Sequence, residues 1–587
     1  MKNYFSVDNF KQLSVIKKIK VVVEHLSATE KTILGVLSLI ILISGYVALN
    51  DYLNKNFKVV IPDYGGEIVE GSVGSPRFIN PLLAASETDK NLVALVYSGL
   101  MRTDKNGDLI PDLADKIEVS EDGLQYTFHI SDKAKFHNET PVTADDVIFT
   151  INKAKDPELK SPKRSNWEGV LVERIDDKTV RFTLNQAYEP FLRNTTLGIL
   201  PRNIWEGVTS AEFAFSIYNS NPIGTGPYKI KKITRDSIGI PKTYLLESYE
   251  NFILGKPYID NITFKFSKNE DELIEMFKTG KIETIYGISP EKAKELQNSN
   301  FEIKTTYLPR IFGIFFNQDK ANVLASNSVR TALNISAPKE EIVSNVLFGF
   351  GQVIDSPIPD IFKSNEEQNL NRGSLTEDQR IAEAREILEK AGWKKNEQGI
   401  YILDNKEGKK ILSFSVATSN VKELVDAANK TIEAWNKVGA QVDLKVYDSN
   451  DFNQNIIRQR NYDAVLFGLV VGKTTDLYAF WHSSQRNDPG LNISGYANIK
   501  TDEILEKIRT LLRSSDTQDD IKKLETEIKK DSPAVSLYSP KFIYAVPKKI
   551  KGNEINYLVT ADERFTNVYK WYINTEQILK AFKNEES

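Results

Sequence analysis

Four histidines, no cysteine and scattered carboxylates define the chemistry open to this chain of 587 residues. Without a thiol there is no disulfide, no cysteine nucleophile, no cysteine zinc site, no iron–sulfur cluster and no cysteine-linked lipid. His25, His129, His137 and His482 lie too far apart to make a local metal set. His129 falls in a strand pattern and His137 just before a turn, which suits packing. His482 stands alone beside Trp481 in the stretch expected near a ligand, and a lone histidine is a weak metal site. Asp145 and Asp146 invite an acid/base reading. In PVTADDVIFT, however, Thr143 caps a helix and both acids occupy its first turn, beside the positive end of the helix dipole. No phosphate-cradling loop and no G-x-S-x-G elbow is present. Catalysis needs a nucleophile with a base in reach, and none is legible. The chain reads as a binding protein without enzymatic activity, cofactor or metal.

The elements that must position a ligand are mixed α and β. Charged residues make up 27% and hydrophobic residues 41%, a globular composition, and 76 basic against 80 acidic residues leave −4, which disfavours nucleic acid as a partner. Strand alternation marks Gly123 to Ile130, Thr179 to Leu184, Ile262 to Phe266 and Ile311 to Phe316. Apolar spacing of three to four predicts helices over Asp271 to Lys278, Glu377 to Ala391, Val421 to Val438 and Asp502 to Ser514. Thr376 and Gln379 form a capping box at one start, and Gly392 closes that helix with Trp393 packing after it. Strand-like runs return at Ala534 to Leu537 and Phe542 to Val546, which suggests one lobe interrupted by another.

Residues 32 to 50, TILGVLSLIILISGYVALN, carry no charge. As a helix they span about 28 Å, close to the hydrocarbon thickness of a bilayer. Residues 1 to 50 hold six lysines against Asp8, Glu24 and Glu30, net +3, which predicts a cytoplasmic N-terminus. The apolar core is long and ends in a poor cleavage site, so an uncleaved anchor is favoured over a signal peptide. The expected organisation is a basic tail (1–31), a transmembrane helix (32–50), a tether (51–65) and an extracytoplasmic part of net charge −7.

Several stretches together resemble the family 5 extracellular solute-binding proteins, the oligopeptide, dipeptide and nickel receptors of ABC importers. They are Gly74-Ser75-Pro76 with Asn80-Pro81-Leu82, VYSGLMRTDKNGDLIPDLA (Val96 to Ala114), VSEDGLQYTFHI (Val119 to Ile130), KFHNETPVTADDVIFT (Lys135 to Thr150), NPIGTGPYKI (Asn221 to Ile230) and GKPYIDNITFKF (Gly255 to Phe266). The two glycines of NPIGTGPY permit positive φ, and Pro222 and Pro227 stiffen the turn.

The resemblance implies a two-lobed α/β periplasmic-binding-protein fold of type II, large, with an extra subdomain in the first lobe. Lobe I is expected over 66–307 with a return at 534–587, and lobe II over 308–533. The segments crossing between lobes are expected near Thr305 to Phe316 and Pro533 to Tyr538. A peptide enclosed by closure would be held largely through its main chain. Ligand contacts are expected at Gly74, Ser75, Asn317, Asp476, Trp481 and Tyr496, while Gly224, Gly226, Pro227 and Arg330 are architectural. The family's amine-binding aspartate follows a YD strand and a Gly-Trp pair. Here NYDAVLFGLVVGKTTDLYAFWHSS has Leu469 for the tryptophan and Gly472 near the acidic position, with Asp476 a few residues on. The implied partners are a peptide-like solute, an ABC permease with its ATPase, and the membrane, with the receptor a monomer. Alternatives are another solute on the same fold (nickel, haem, oligosaccharide) and a non-transport surface sensor or chaperone-like protein.

Overall fold

The computed structural model describes residues 14–579 except 189, 298–300, 357, 359–374, 407, 473–476 and 511–516. The chain divides into two compact units, one formed by the N-terminal segment to Asp63 with the residues from Asn574 onward, the other by Tyr64–Ile573.

In the first unit, helix α1 (Val15–His25) precedes the long helix α2 (Ala28–Phe57). A capping box starts α2: the Ser27 N–H donates to the Glu30 carboxylate at 2.8 Å, and the Glu30 N–H donates to the Ser27 hydroxyl at 3.3 Å. Residues Ala28–Tyr52 are long and apolar enough to cross a membrane and bury none of that stretch against the rest of the chain. The residues expected as a tether are ordered otherwise. The helix runs on to Phe57, and β1 (Lys58–Asp63), rich in β-branched residues, pairs antiparallel with Asn574–Leu579.

The second unit is organised by a 12-stranded sheet. In its first half, β2 (Glu67–Val73) lies between two parallel neighbours, β3 (Asn261–Ser267) and β4 (Thr284–Tyr286). The strand β5 (Glu302–Tyr307) ends this half, and β6 (Arg310–Phe316) begins the other. There β7 (Ser413–Ser419) runs parallel to β8 (Gln441–Tyr447) and to β9 (Ala464–Val470), which pairs antiparallel with β6. One long strand, β10 (Ala534–Val546), joins the halves: Ala534 to Tyr538 pair with β6, and Lys541 to Val546 pair with β5. The polypeptide therefore passes between the two lobes at Tyr307 to Arg310 and again at Tyr538 to Lys541.

Side-chain alternation assigns the cores. Along β6, Ile314 and Phe316 enter one hydrophobic cluster with Trp435 and Leu466, while Ile311 and Phe315 enter another with Val465 and Trp481. Covered on both faces, this strand reads as an unbroken apolar run. The first lobe has its own cores, around Ile68, Phe264, Tyr544 and Trp571, and around Leu273, Ile285 and Ile543. A separate four-stranded antiparallel sheet, ordered 114–119, 125–130, 179–184, 170–174, supplies Tyr126, Phe128 and Phe182 to the first of these.

The Gly-Thr-Gly turn departs from expectation in its cause. Neither Gly224 nor Gly226 has positive φ. Instead, the turn presses against the end of helix α3 (Glu87–Val96), where a Cβ on Gly224 would meet the Val96 carbonyl oxygen at 1.9 Å and one on Gly226 the Leu95 oxygen at 2.6 Å. His137 staples the same turn: Nδ1 accepts from the Gly224 N–H at 3.3 Å, and Nε2 lies 3.0 Å from the Gly226 carbonyl. Burial lowers the His137 pKa to about 4, so the ring stays neutral. Gly226→Ala is expected to destabilise the protein by about 1–3 kcal/mol through forced backbone movement, measured by urea unfolding. Unchanged stability would show that the turn yields freely.

Candidate ligand-binding cleft

In α/β sheets, ligands collect where parallel strands end. On the first lobe that edge comprises Gly74 after β2, the start of α3, and helices α4 (Glu270–Lys278) and α5 (Pro290–Leu296). On the second it comprises Ser419, the start of α6 (Lys422–Val438), Tyr447 and Val470. The two edges meet. Lys422 Nζ lies 3.1 Å from Glu291 Oε2 on α5, both side chains exposed. The Arg509 guanidinium, on α7 (Ile499–Thr510), lies over Tyr478 of its own lobe at 4.5 Å and over Tyr188 of the first at 5.4 Å.

Gly74 is held open. It has φ +79°, its N–H donates to the Ser267 carbonyl at 2.8 Å, and a Cβ there would meet nothing within 4 Å. A buried polar chain fixes this edge from behind. The Thr88 hydroxyl lies 3.0 Å and 3.1 Å from the carbonyl oxygens of Val73 and Gly74 and contacts Ser72 at 2.8 Å. Ser72 contacts the Tyr286 hydroxyl at 2.9 Å, which accepts from Asn91 at 2.5 Å. Asn91 in turn accepts from Arg564 at 2.6 Å. Arg564 pairs with Glu70 at 2.8 Å, side chains 0% and 1% exposed, and Tyr544 donates to the other Glu70 oxygen at 3.1 Å.

The residues expected to touch ligand separate in the structure. Gly74 forms the cleft edge, and the Ser75 hydroxyl next to it donates to the Pro241 carbonyl at 2.9 Å. Asn317 follows the far end of β6 and is buried; its amide donates to the Arg460 carbonyl at 3.0 Å, and its side-chain oxygen accepts from the Lys320 N–H at 3.3 Å. Trp481 and Tyr496 are buried together in the second lobe's core, 6.3 Å between ring centroids, and the Tyr496 hydroxyl donates to Asp531 at 2.7 Å. Asp476 lies outside the described residues. Leu469, at the position where the resemblance implies a tryptophan, is buried in that same core. Arg330 serves architecture, bonding the carbonyls of Leu324, Ala325, Asp531 and Ser532. Sequence reasoning passed over Glu291, Lys422 and Arg310. The signal available for Arg310 was one charge heading the apolar run RIFGIFF.

Away from this cleft, a cavity of about 390 Å³ lies inside the first lobe, lined by Lys90, Tyr97, Arg102, Asp112, Lys163 and Glu563, among others. Burial pushes the Asp112 and Glu563 carboxyls up to about 7. Unfolded values lie near 4, so the folded state binds extra protons between about pH 4 and 7. The stability this confers is complete below about pH 4 and lost as pH rises through 7. Asp112→Asn is therefore expected to gain about 2 kcal/mol on the parent between pH 5 and 8 in urea unfolding. Parallel pH profiles would contradict it. Among the described residues no group of three or more metal-ligating side chains is assembled.

Known proteins share this architecture. Residues 108–490 match the family described as bacterial extracellular solute-binding proteins, family 5. The chain is 27% identical over 524 residues to the oligopeptide-binding protein AppA of Bacillus subtilis, covering 87% of this chain and 92% of that protein. The structure of AppA from Bacillus subtilis in complex with a nonapeptide superposes with a TM-score of 0.67 at 26% identity, over 88% of this chain and all of that one. NikZ from Campylobacter jejuni in complex with Ni(L-His) gives 0.68 at 27% identity, covering 86% and 99%. The fold is that of the two-lobed periplasmic binding proteins, preceded by an apolar N-terminal helix. The chain belongs to the family 5 bacterial extracellular solute-binding proteins, which are solute receptors.

Proposed function

We infer that this chain is a membrane-anchored receptor of an ABC importer, which captures peptides between its lobes outside the cytoplasmic membrane and passes them to a permease powered by an ATPase. The observation that carries this reading is the pair of strand-end edges brought together across two crossing strands and bridged by Lys422 and Glu291. The likeness to AppA, seen with a nonapeptide, supports a peptide as the solute. Core membership supports lobe I from 66 through Leu308, which packs in the first lobe's core, and lobe II from Ile311 onward, so the boundary expected at 307/308 shifts by a few residues. The packing of Val535, Leu537 and Tyr538 in the second lobe favours a return that starts past Tyr538 rather than at 534. The exposed apolar length of α2 supports a single crossing with the lysine-rich end inside. The receptor works as a monomer and performs no catalysis.

Native mass spectrometry of the full chain, purified in detergent with the solute it carries, tests the reading. Peptide masses released on unfolding are the expected result. A nickel–histidine complex, the second reading suggested by the likeness to NikZ, or another non-peptide solute would replace it.

A further inference from the structure

β6 carries one charged residue, and it is the first: Arg310. Its backbone pairs opposite Val470, the last residue of β9, so it stands at the cleft edge of the second lobe. It is also the point where the chain has just crossed from the first lobe. Burial lowers its pKa, while Glu87, at the start of α3 beside the Gly74 edge, opposes that effect from across the cleft. The two form no ion pair, and Glu87 is paired with Lys90 at 3.2 Å.

Among the described residues, the Arg310 guanidinium has no hydrogen-bond or ion-pair partner, and its Nε is buried with none. Arg460 of the same lobe, by contrast, bonds the carbonyls of Ile457, Arg486 and Gly490. Lys422, another cation of this edge, is already engaged by Glu291 and Asp426. A partly desolvated guanidinium cannot shed its charge by deprotonation, so it is costly until an anion arrives. Its planar fork fits a carboxylate through two parallel hydrogen bonds.

We propose that Arg310 receives a carboxylate of the bound solute, so that the cleft selects peptides by an acidic group, either the C-terminal carboxylate or an Asp or Glu side chain. The assignment rests on the peptide reading above and adds the chemical class that the cleft prefers. It also places one fixed point of recognition on the crossing strand itself, where ligand charge and lobe closure are felt together.

Three pools of short mixed-sequence peptides test it against the full chain in detergent by native mass spectrometry and calorimetry. The first has free C-termini and lacks Asp and Glu, the second is amidated but contains them, and the third is amidated and lacks them. The parent is expected to bind the first or the second pool at least about tenfold more tightly than the third, and which of the two wins identifies the carboxylate. Arg310→Gln should lose that preference while melting, ligand-free, at or above the parent's temperature, and Arg310→Lys should keep part of it. Equal binding of all three pools by the parent, or a preference surviving in Arg310→Gln, would overturn the role of Arg310 and leave the peptide reading intact. Retention of no pool would overturn the peptide reading itself.

Discussion

Replacing Arg564 by Met is expected to destabilise the protein by about 3–5 kcal/mol, because Glu70 is then left charged and unpaired in the core. Arg564 and Glu70 are both buried, and the guanidinium lies 4.0 Å from the ring centroids of Tyr286 and Phe565. Losing it also removes the donor to Asn91, the next link towards Tyr286, Ser72 and Thr88. The chain ends on the Gly74 carbonyl, so the cleft edge should loosen with the core. The signature is a coupled one: a lower urea midpoint, and weaker solute binding at temperatures where the variant remains folded. Pairing the change with Glu70→Leu should recover more than half the loss, since the cost lies mainly in the orphaned charge. An Arg564→Met protein as stable as the parent would show that water or rearrangement satisfies Glu70.

From the proposed anchoring through α2 it follows that two arginines in the middle of that helix should release the protein from the membrane. Leu39 and Ile41 are 57% and 70% exposed, which in water would be an unfavourable apolar surface and in lipid is none. A charge at the centre of a spanning helix costs about 2.5–3.5 kcal/mol on insertion scales, so Leu39→Arg with Ile41→Arg costs about 5–7 kcal/mol. That is enough to shift partitioning by more than about a thousandfold. After alkaline extraction the parent is expected in the membrane pellet and the double variant in the supernatant. A double variant that still pellets would point to an attachment other than α2.

Local chemistry made much of the fold legible. The capping box at Thr376 and Gln379 forms as the pattern required, at 2.9 and 3.3 Å, and Gly392 follows with φ +89°. The strand at Thr179–Leu184 and the helix at Lys422–Val438 follow the apolar periods. Ala534 to Leu537 and Phe542 to Val546 read as two runs because Ser539, Pro540 and Lys541 interrupt the alternation. They form one strand because that strand changes partner there, from β6 to β5. Where partners switch, burial switches too, and period alone does not show it.

The candidate site was legible as a region and not as side chains. Arg310 and Asn317 flank the two ends of one short strand, and only the direction of its neighbours decides which end meets the ligand. Trp481 and Tyr496 look like a ligand platform in sequence, yet the same apolarity buries them in the lobe. Lys422 and Glu291 are ordinary surface residues until the lobes face each other.

Peptide binding should draw the two lobes together. The chain has no cysteine, so Lys294→Cys on α5 and Lys430→Cys on α6 can carry a specific pair of spin labels. Pulsed electron resonance then reads the distance across the cleft of the full chain, first stripped of solute and then with mixed short peptides. A shift from a longer, broader distribution to a shorter, narrower one on adding peptide is the predicted result, and a distribution unchanged while peptide is demonstrably bound would contradict the account.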